Sequence, residues 1–569
     1  MTPTAEQSAI LASRGHLKIN AVAGSGKTTT MVEYARAQPA TARILYLAFN
    51  KTVRQEAIRK FQAAGLPNVM VETAHSLAYR YVVRGSRYQL NHKGYRAHEL
   101  VEMLKLPRGT GQERHQEYVL ANHITKFVTY FCNSDQAQVQ RLDYLATIAD
   151  PKAREFVGKH YATIERSCRE LLARMDRGEI AITHDFYLKK FQLSHTVLPA
   201  DVILFDEGQD ASGAMLDIFF RQPATKVIVG DTHQQIYGWR HAVNSLERTD
   251  YPSLQLSTSF RFGPPIADLA TYVLGWKTQL GAGPQLVVTG AASESLVEGA
   301  TRAVIGRTNL GLLLKAIEYV KEHRQQLRRV YFEGNINSYT YAGEGASLTD
   351  VLALYNGRSE AIKDPLIRKM ANLEELADYA EQTEDGQLQM LITIVEDYGN
   401  DVIDLIKELK RLHVADGARD QAQLYFSTVH RCKGLEYNQV QLTPDFITQA
   451  TVDKLEEEFA AKPPEPGVRA RVFEEINLLY VALTRAKNRV YVPAECLPGS
   501  FEPRAAVHSL QGTGGTVLLA PVVVAPPERT QWAPYAPKAT YTPTPAALDP
   551  RFASLQQKLD ASNKAAPGK

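Results

Sequence analysis

The sequence predicts an α/β protein with two cores of parallel sheet flanked by helices, each core carrying a mainly helical insertion, followed by a proline-rich disordered tail. Three observations lead to this reading. Short aliphatic or β-branched runs at 17–20, 44–49, 202–205 and 226–229 are each followed by glycine or acidic residues and then by helical patterning, as buried parallel strands are. Comparable runs return at 302–305, 440–442 and 490–492 after more than 70 residues without one, which calls for a second core. The stretches 85–180 and 310–420 carry helical patterning, and no fixed-period repeat points to a solenoid or propeller.

In chain order, the expected layout is a first core from 1–84 and 181–265, interrupted by an insertion at 85–180. The second core comprises 266–309 and 421–499, interrupted at 310–420, and the tail runs from 500 to 569. A chain of 569 residues suggests about four units at roughly 150 residues each. Hydrophobic residues at 44% and charged residues at 22% are those of a soluble folded protein and exclude wholesale disorder or a coiled coil. The formal net charge is only +3, so a polyanion site would have to be local. Cys132, Cys168, Cys432 and Cys496 lie far apart without a CxxC pair, excluding a disulfide framework or zinc ribbon and favouring a reducing compartment. The start lacks a basic flank before an apolar stretch, and no apolar run approaches the ~18 residues of a membrane span. A soluble protein without membrane partners is expected, cytoplasmic or, in a eukaryotic cell, nuclear.

The insertions differ in charge. Between Arg80 and His115 basic residues dominate, with Tyr81, Tyr88 and Tyr95 among them. That suits a surface that tracks a nucleic-acid backbone and stacks bases, or equally a solvated helical face with core tyrosines. From Met370 to Asp404 the segment is acidic and has no lysine or arginine. It is expected to avoid DNA and to be a solvated face, or alternatively a protein-docking surface. The tail is rich in proline, alanine and threonine, and its apolar stretch 516–525 could add a strand to a sheet edge here or on a partner.

The first expected strand runs into Ala21, Val22, Ala23, Gly24, Ser25, Gly26, Lys27, Thr28 and Thr29, a phosphate-binding loop with Ala21 where the usual pattern begins with glycine. Gly24 and Gly26 let the backbone amides of Ala23 to Thr29 curl around phosphates. Lys27 neutralises their outer charge, and Thr28 offers its hydroxyl to Mg²⁺. ATP or GTP is therefore an expected ligand. A later strand delivers Asp206, assigned to hold the metal, and Glu207, assigned to take a proton from attacking water. Another ends in GDTHQQIYGWR, where Gln234 is placed to sense a γ-phosphate, while Tyr237, Trp239 and Arg240 offer aromatic faces and a cation to single-stranded bases.

With these motifs in hand, the chain resembles the superfamily 1 helicases of the UvrD/Rep/PcrA type, and most of all the F-box DNA helicase branch without its F-box. AFNK at 48–51, TAHSLAY at 73–79, SFRFG at 259–263 and IKDPLI at 362–367 carry the resemblance, which extends over about residues 1–495. It implies two RecA-like P-loop cores closing on ATP and Mg²⁺, and ATP-dependent movement on single-stranded DNA with 3′-to-5′ polarity and duplex unwinding. By the same resemblance Gln7 reads the adenine edge, Phe260 stacks on its ring and Glu436 contacts the ribose. Arg261 and Arg485 are carried over as arginine fingers and Gln234 as their companion sensor. Phe49, Thr73, His75, Tyr237, Trp239, Arg240 and His430 fall where the family meets DNA. A core position for Trp239, structural roles for His75 and His430, and surface ion pairs for Arg261 and Arg485 are the alternatives. A translocase that strips proteins from single strands and a nucleotide-switched binding subunit, docking through the acidic insertion or the tail, are the rival functions. One departure stands out: Gly208 in DEGQD replaces a larger residue and is expected to loosen the packing beside Glu207.

Overall fold

A computed structural model describes residues 3–109, 114–238, 242–293, 300–339, 347–511 and Thr516. Strands follow the chain as β1 (Leu17–Ala21), β2 (Ile44–Ala48), β3 (Val69–Thr73), β4 (Val202–Phe205), β5 (Thr225–Gly230), β6 (Ser253–Leu256), β7 (Thr258–Ser259) and β8 (Thr289–Gly290). After these come β9 (Arg302–Gly306), β10 (Val330–Phe332), β11 (Leu424–Thr428), β12 (Tyr437–Leu442), β13 (Ala486–Pro493) and β14 (Val507–Leu510).

Two six-stranded sheets result, ordered β3-β2-β4-β5-β1-β6 and β10-β11-β9-β12-β13-β14, while β7 and β8 form a separate pair. Every neighbouring pair in both large sheets is parallel. In the first sheet β5 lies between β4 and β1, with Phe205 opposite Ile228 and Asn20 opposite Gly230. The carboxyl ends of these three strands therefore lie side by side, so the loops that follow them share one edge, where parallel α/β sheets bind ligands.

The sheets contain strands that hydrophobic runs alone do not announce. β3 (VMVET) and β6 (SLQL) are edge strands with partly exposed positions, and β10 is three residues long. β11 is buried throughout despite ending in Ser427 and Thr428. β10 lies inside the segment read as the second insertion, because the helix Asn309–Glu322 packs on β9 and β11 and returns the chain to the sheet. β14 lies inside the segment read as tail and pairs with β13, Val490 opposite Val507. The tail beyond 516 and most of the 516–525 stretch lie outside the described residues.

The helices Gln116–Asn133 and Pro151–Asp176 face the acidic helices of the other insertion. Glu375 meets His115 at 3.1 Å and Arg114 at 3.6 Å. The Oε1 of Glu384 accepts the backbone N–H groups of Ala149 at 2.7 Å and Asp150 at 2.8 Å, at the start of the Pro151–Asp176 helix. His123 Nε2 contacts the Gln382 carbonyl at 2.8 Å. The acidic segment is thus turned at least partly toward the chain's own first insertion. The three tyrosines of the basic stretch are engaged in packing: Tyr81 stacks on Phe191, and Tyr88 and Tyr95 donate to the carbonyls of Asp176 and Ala181.

Candidate nucleotide site and aromatic strip

The phosphate loop links β1 to the helix Lys27–Arg36, with Gly24 at φ +76° and Gly26 at φ +79°. Glycine is needed at Gly24 for space as well as for its left-handed conformation. A Cβ there would lie 2.6 Å from Arg261 Cβ and 2.7 Å from Ser259 Oγ. The segment bearing Phe260 and Arg261 therefore lies directly on the loop, and the Phe260 N–H donates to the Gly24 carbonyl at 2.9 Å.

Beyond the loop opens a cleft of 590 Å³, lined by Gly24 to Thr29, Asp206, Glu207, Gln234 and Arg261 and by Lys433, Glu436 and Arg485 of the second-sheet region. Lys27 Nζ is 3.3 Å from Glu207 Oε1. Burial lowers the Lys27 ammonium, but Glu207, Asp231 and Asp206 outweigh it, and the group ends above its ordinary value. Asp206 takes a hydrogen bond from Tyr46 and another from the Glu207 N–H at 2.9 Å. Burial and the Glu207 charge push its carboxyl up to about 6. For Glu207 burial also acts upward, yet Lys27 and Lys433 bring it down to about 2. Glu207 sits in the left-handed region at φ +53°, a local strain of the kind that collects at functional turns. Gly208 does not loosen this turn. A Cβ there would come within 2.6 Å of both Ile228 Cγ1 and Ser245 Oγ, so the glycine permits close packing against β5 and the expectation is corrected.

On the opposite wall Arg485 is 1% exposed and makes no ion pair among the described residues. Its donors reach the carbonyls of Val481 at 2.9 Å and Leu435 at 3.4 Å. Burial, followed by the like charge of Arg261, lowers the guanidinium to about 10, still protonated at neutral pH. Arg261 donates to Glu436 at 2.9 Å and to the Thr484 carbonyl at 3.0 Å, and Glu436 also pairs with Lys487. Two guanidiniums, only one with a carboxylate, leave this wall positive and suited to an anion.

Gln7 lies beside the loop but outside the lining of the cleft. Its amide donates to Thr30 at 3.3 Å and its Oε1 accepts from Thr4 N–H at 3.0 Å, completing a capping box. Phe260 is 44% exposed. Phe49 stacks on Tyr237 with centroids 5.8 Å apart, and Tyr237 packs against His430 at 5.8 Å, so three of the DNA-assigned residues form one strip crossing from the first sheet to the second. His430 contacts the Ile236 carbonyl at 3.0 Å, and burial, aided by Arg307, lowers its imidazole to about 4, so it is neutral at physiological pH. Thr73 and His75 stand apart from the cleft lining. The Thr73 hydroxyl caps the helix Ala74–Ala78, and His75 meets Tyr187 edge-on with its Nδ1 buried and unpartnered. Trp239 and Arg240 lie outside the described residues.

Lys433 and Tyr480, unassigned from sequence, also hold the cleft together. Lys433 pairs with Asp210 and donates to the Gln234 carbonyl at 2.6 Å. The Tyr480 hydroxyl donates to Asp231 at 3.2 Å and accepts from the Ala23 N–H at 3.5 Å, joining the phosphate loop to the helix Pro466–Leu483. Two buried atoms of the cleft's residues, Ser25 Oγ and Asp210 Oδ1, have no partner. Orphaned polar atoms beside a glycine loop and a positive wall fit a triphosphate with its cation. Among the described residues no three metal-ligating side chains converge, so a cation there would complete its shell with phosphate and water.

A phosphate loop on one parallel sheet, faced by an arginine from another, defines a two-core nucleotide-binding protein. Residues 2–250 match the UvrD/REP helicase N-terminal domain, so the first part of the chain is similar to helicases of that type. The chain is 29% identical over 505 residues to F-box DNA helicase 1 of Gallus gallus, covering 83% of this chain and 47% of that protein. It is 26% identical over 515 residues to F-box DNA helicase protein 1 of Schizosaccharomyces pombe, covering 83% of this chain and 55% of that protein. The chain thus spans about half the length of these curated relatives. None of its described helices is long and apolar enough to cross a membrane.

Proposed function

We propose that this chain is an ATP-driven motor on single-stranded DNA, moving 3′ to 5′ and unwinding duplex. The observation that carries the reading is the single cleft shared by Lys27, Asp206, Glu207, Arg261 and Arg485. In this reading the amides of Ala23 to Thr29 and the Lys27 ammonium hold the phosphates, Gln7 and Phe260 receive the base, and Glu436 the ribose. Thr28 and Asp206 hold Mg²⁺, which when bound neutralises phosphate charge. Gln234 senses the γ-phosphate, and Arg261 and Arg485 stabilise the charge that builds on it in transfer. Arginine fingers contribute about 10³ to 10⁵ in rate in NTPases.

The Lys27–Glu207 pair suggests how the base is guarded. Without nucleotide, the ammonium holds Glu207 ionised and weakly basic. Phosphates competing for that ammonium would free the carboxylate to accept a proton from water. Closure of the two walls on ATP and their release after hydrolysis would move the Phe49–Tyr237–His430 strip, with Trp239, Arg240, Thr73 and His75 as further strand contacts. Base stacking at about 1–3 kcal/mol per aromatic is comparable with the ~1.4 kcal/mol average of a duplex step, so grip and unwinding are matched in scale. The buried free thiols suit a reducing compartment, cytoplasmic or nuclear.

ATP turnover in wild type and Lys27→Ala, with single-stranded DNA, single-stranded RNA or no polymer, tests the proposal. DNA-stimulated turnover lost in the variant is expected, and equal rates in both proteins overturn it. Strand separation measured beside displacement of a DNA-bound protein then distinguishes a helicase from a translocase that only strips proteins.

A further inference from the structure

Lys277 is a buried charge that the nucleotide cleft does not account for. It lies on the helix Pro264–Gln279 among Val273, Leu274 and Trp276, is itself buried, and makes no ion pair with a described carboxylate. Asp231 and Glu247 attract it without touching it, so the ammonium loses its hydration with no direct carboxylate partner, which is costly, and an apolar residue of the same length would fill the space. What lysine supplies and methionine cannot is a set of N–H donors. One goes to His233 Nδ1 at 3.2 Å and one to Asn477 Oδ1 at 2.5 Å.

Both acceptors are set by this contact. As the acceptor of the Lys277 ammonium, neutral His233 carries its proton on Nε2. Asn477, with its oxygen held, turns its amide toward the Gln235 carbonyl, which accepts at 2.8 Å. The His233 ring stands edge-on to Tyr480 at 5.9 Å, and Tyr480 is bonded to Asp231 and Ala23. Gln234 lies between these tethered residues and donates to Asp231 at 2.7 Å. Asn477 and Tyr480 belong to the helix that runs into Arg485.

We infer that Lys277 is a positioning residue that ties the Gln234 loop of the first sheet to the Arg485 helix of the second. It lies outside the lining of the nucleotide cleft. By orienting His233 and Asn477 together it makes a shift of Gln234 toward or away from a γ-phosphate felt by the helix carrying the arginine. The inference rests on the proposed motor reading and names a residue through which its two walls act as one.

The test uses the full chain and Lys277→Met, which keeps length and removes the donors. The kcat of DNA-stimulated ATP turnover is expected to fall about tenfold or more, since small misplacements of catalytic groups are costly, while the KM for ATP stays within about twofold and melting falls modestly because two buried acceptors lose their donor. His233→Leu is expected to act through the same link, so the double variant falls no further than the worse single variant. Unchanged kcat, losses that multiply in the double variant, or a lowered melting temperature alone would each overturn the role. Absence of Lys27-dependent turnover in the wild type would sink the motor reading instead. Amide exchange at Asp231–Gln235 then decides the tether by itself: faster exchange in Lys277→Met supports it, and equal exchange overturns it.

Discussion

Asp206 and Glu207 are neighbours in the chain whose carboxyls are driven in opposite directions, to about 6 and about 2. Burial acts upward on both; at Asp206 the Glu207 charge adds to it, while at Glu207 the charges of Lys27 and Lys433 override it. Since kcat/KM reports groups of the free enzyme and the metal role needs ionised Asp206, kcat/KM for ATP is expected to fall as the pH drops through about 6. The Tyr46 hydrogen bond favours the ionised form, so Tyr46→Phe is expected to move that midpoint to higher pH. A profile flat between about pH 7 and pH 5 would count against the assignment. Gly208→Ala tests the tight turn beside them. The added Cβ collides with Ile228 and Ser245, and chemical denaturation is expected to show a loss of about 1–3 kcal/mol. The motif residues were legible because phosphate binding demands particular atoms at particular spacings. Tyr480 and Lys433 were not, because their importance comes from what lies across the cleft and not from their neighbours in sequence.

At the level of elements, the acidic helices gain meaning from their contact with the first insertion. Glu384 holds two amides just ahead of a helix whose own cap is Asp150, adding negative charge where a helix N-terminus favours it. Glu384→Ala is therefore expected to speed hydrogen exchange at Ala149 and Asp150 while leaving the amides of β1 and β5 unchanged. Equal exchange at both sites would mean that the two insertions separate freely in solution. Buried strands such as β2 and β4 were legible as apolar runs, whereas β3 and β6 were masked by the polar positions that edge strands expose. β11 was masked by Ser427 and Thr428, and the Ser427 hydroxyl is satisfied inside the fold by donating to the Thr428 carbonyl. The inter-insertion contact had no local signature, since charge composition does not say which surface will meet it.

On the scale of the whole molecule the cleft exists only because residues more than 400 positions apart, Lys27 and Arg485, line it together. Arg485→Ala is expected to lower DNA-stimulated ATP turnover by about 10³-fold or more while nucleotide binding, followed with a fluorescent ATP analogue, persists. Loss of binding and turnover together would recast the arginine as a structural strut. The architecture of two sheets could be read from recurring apolar runs, yet where each sheet ends could not, because composition changes before the fold does. β14 makes the point in practical terms. A truncation drawn at residue 500, where prolines begin to accumulate, would strip the outermost rung from the second sheet and bare the edge of β13. On the ribosome the same rung is the last of the described strands to emerge, so that edge stays open to mispairing until synthesis has passed residue 510.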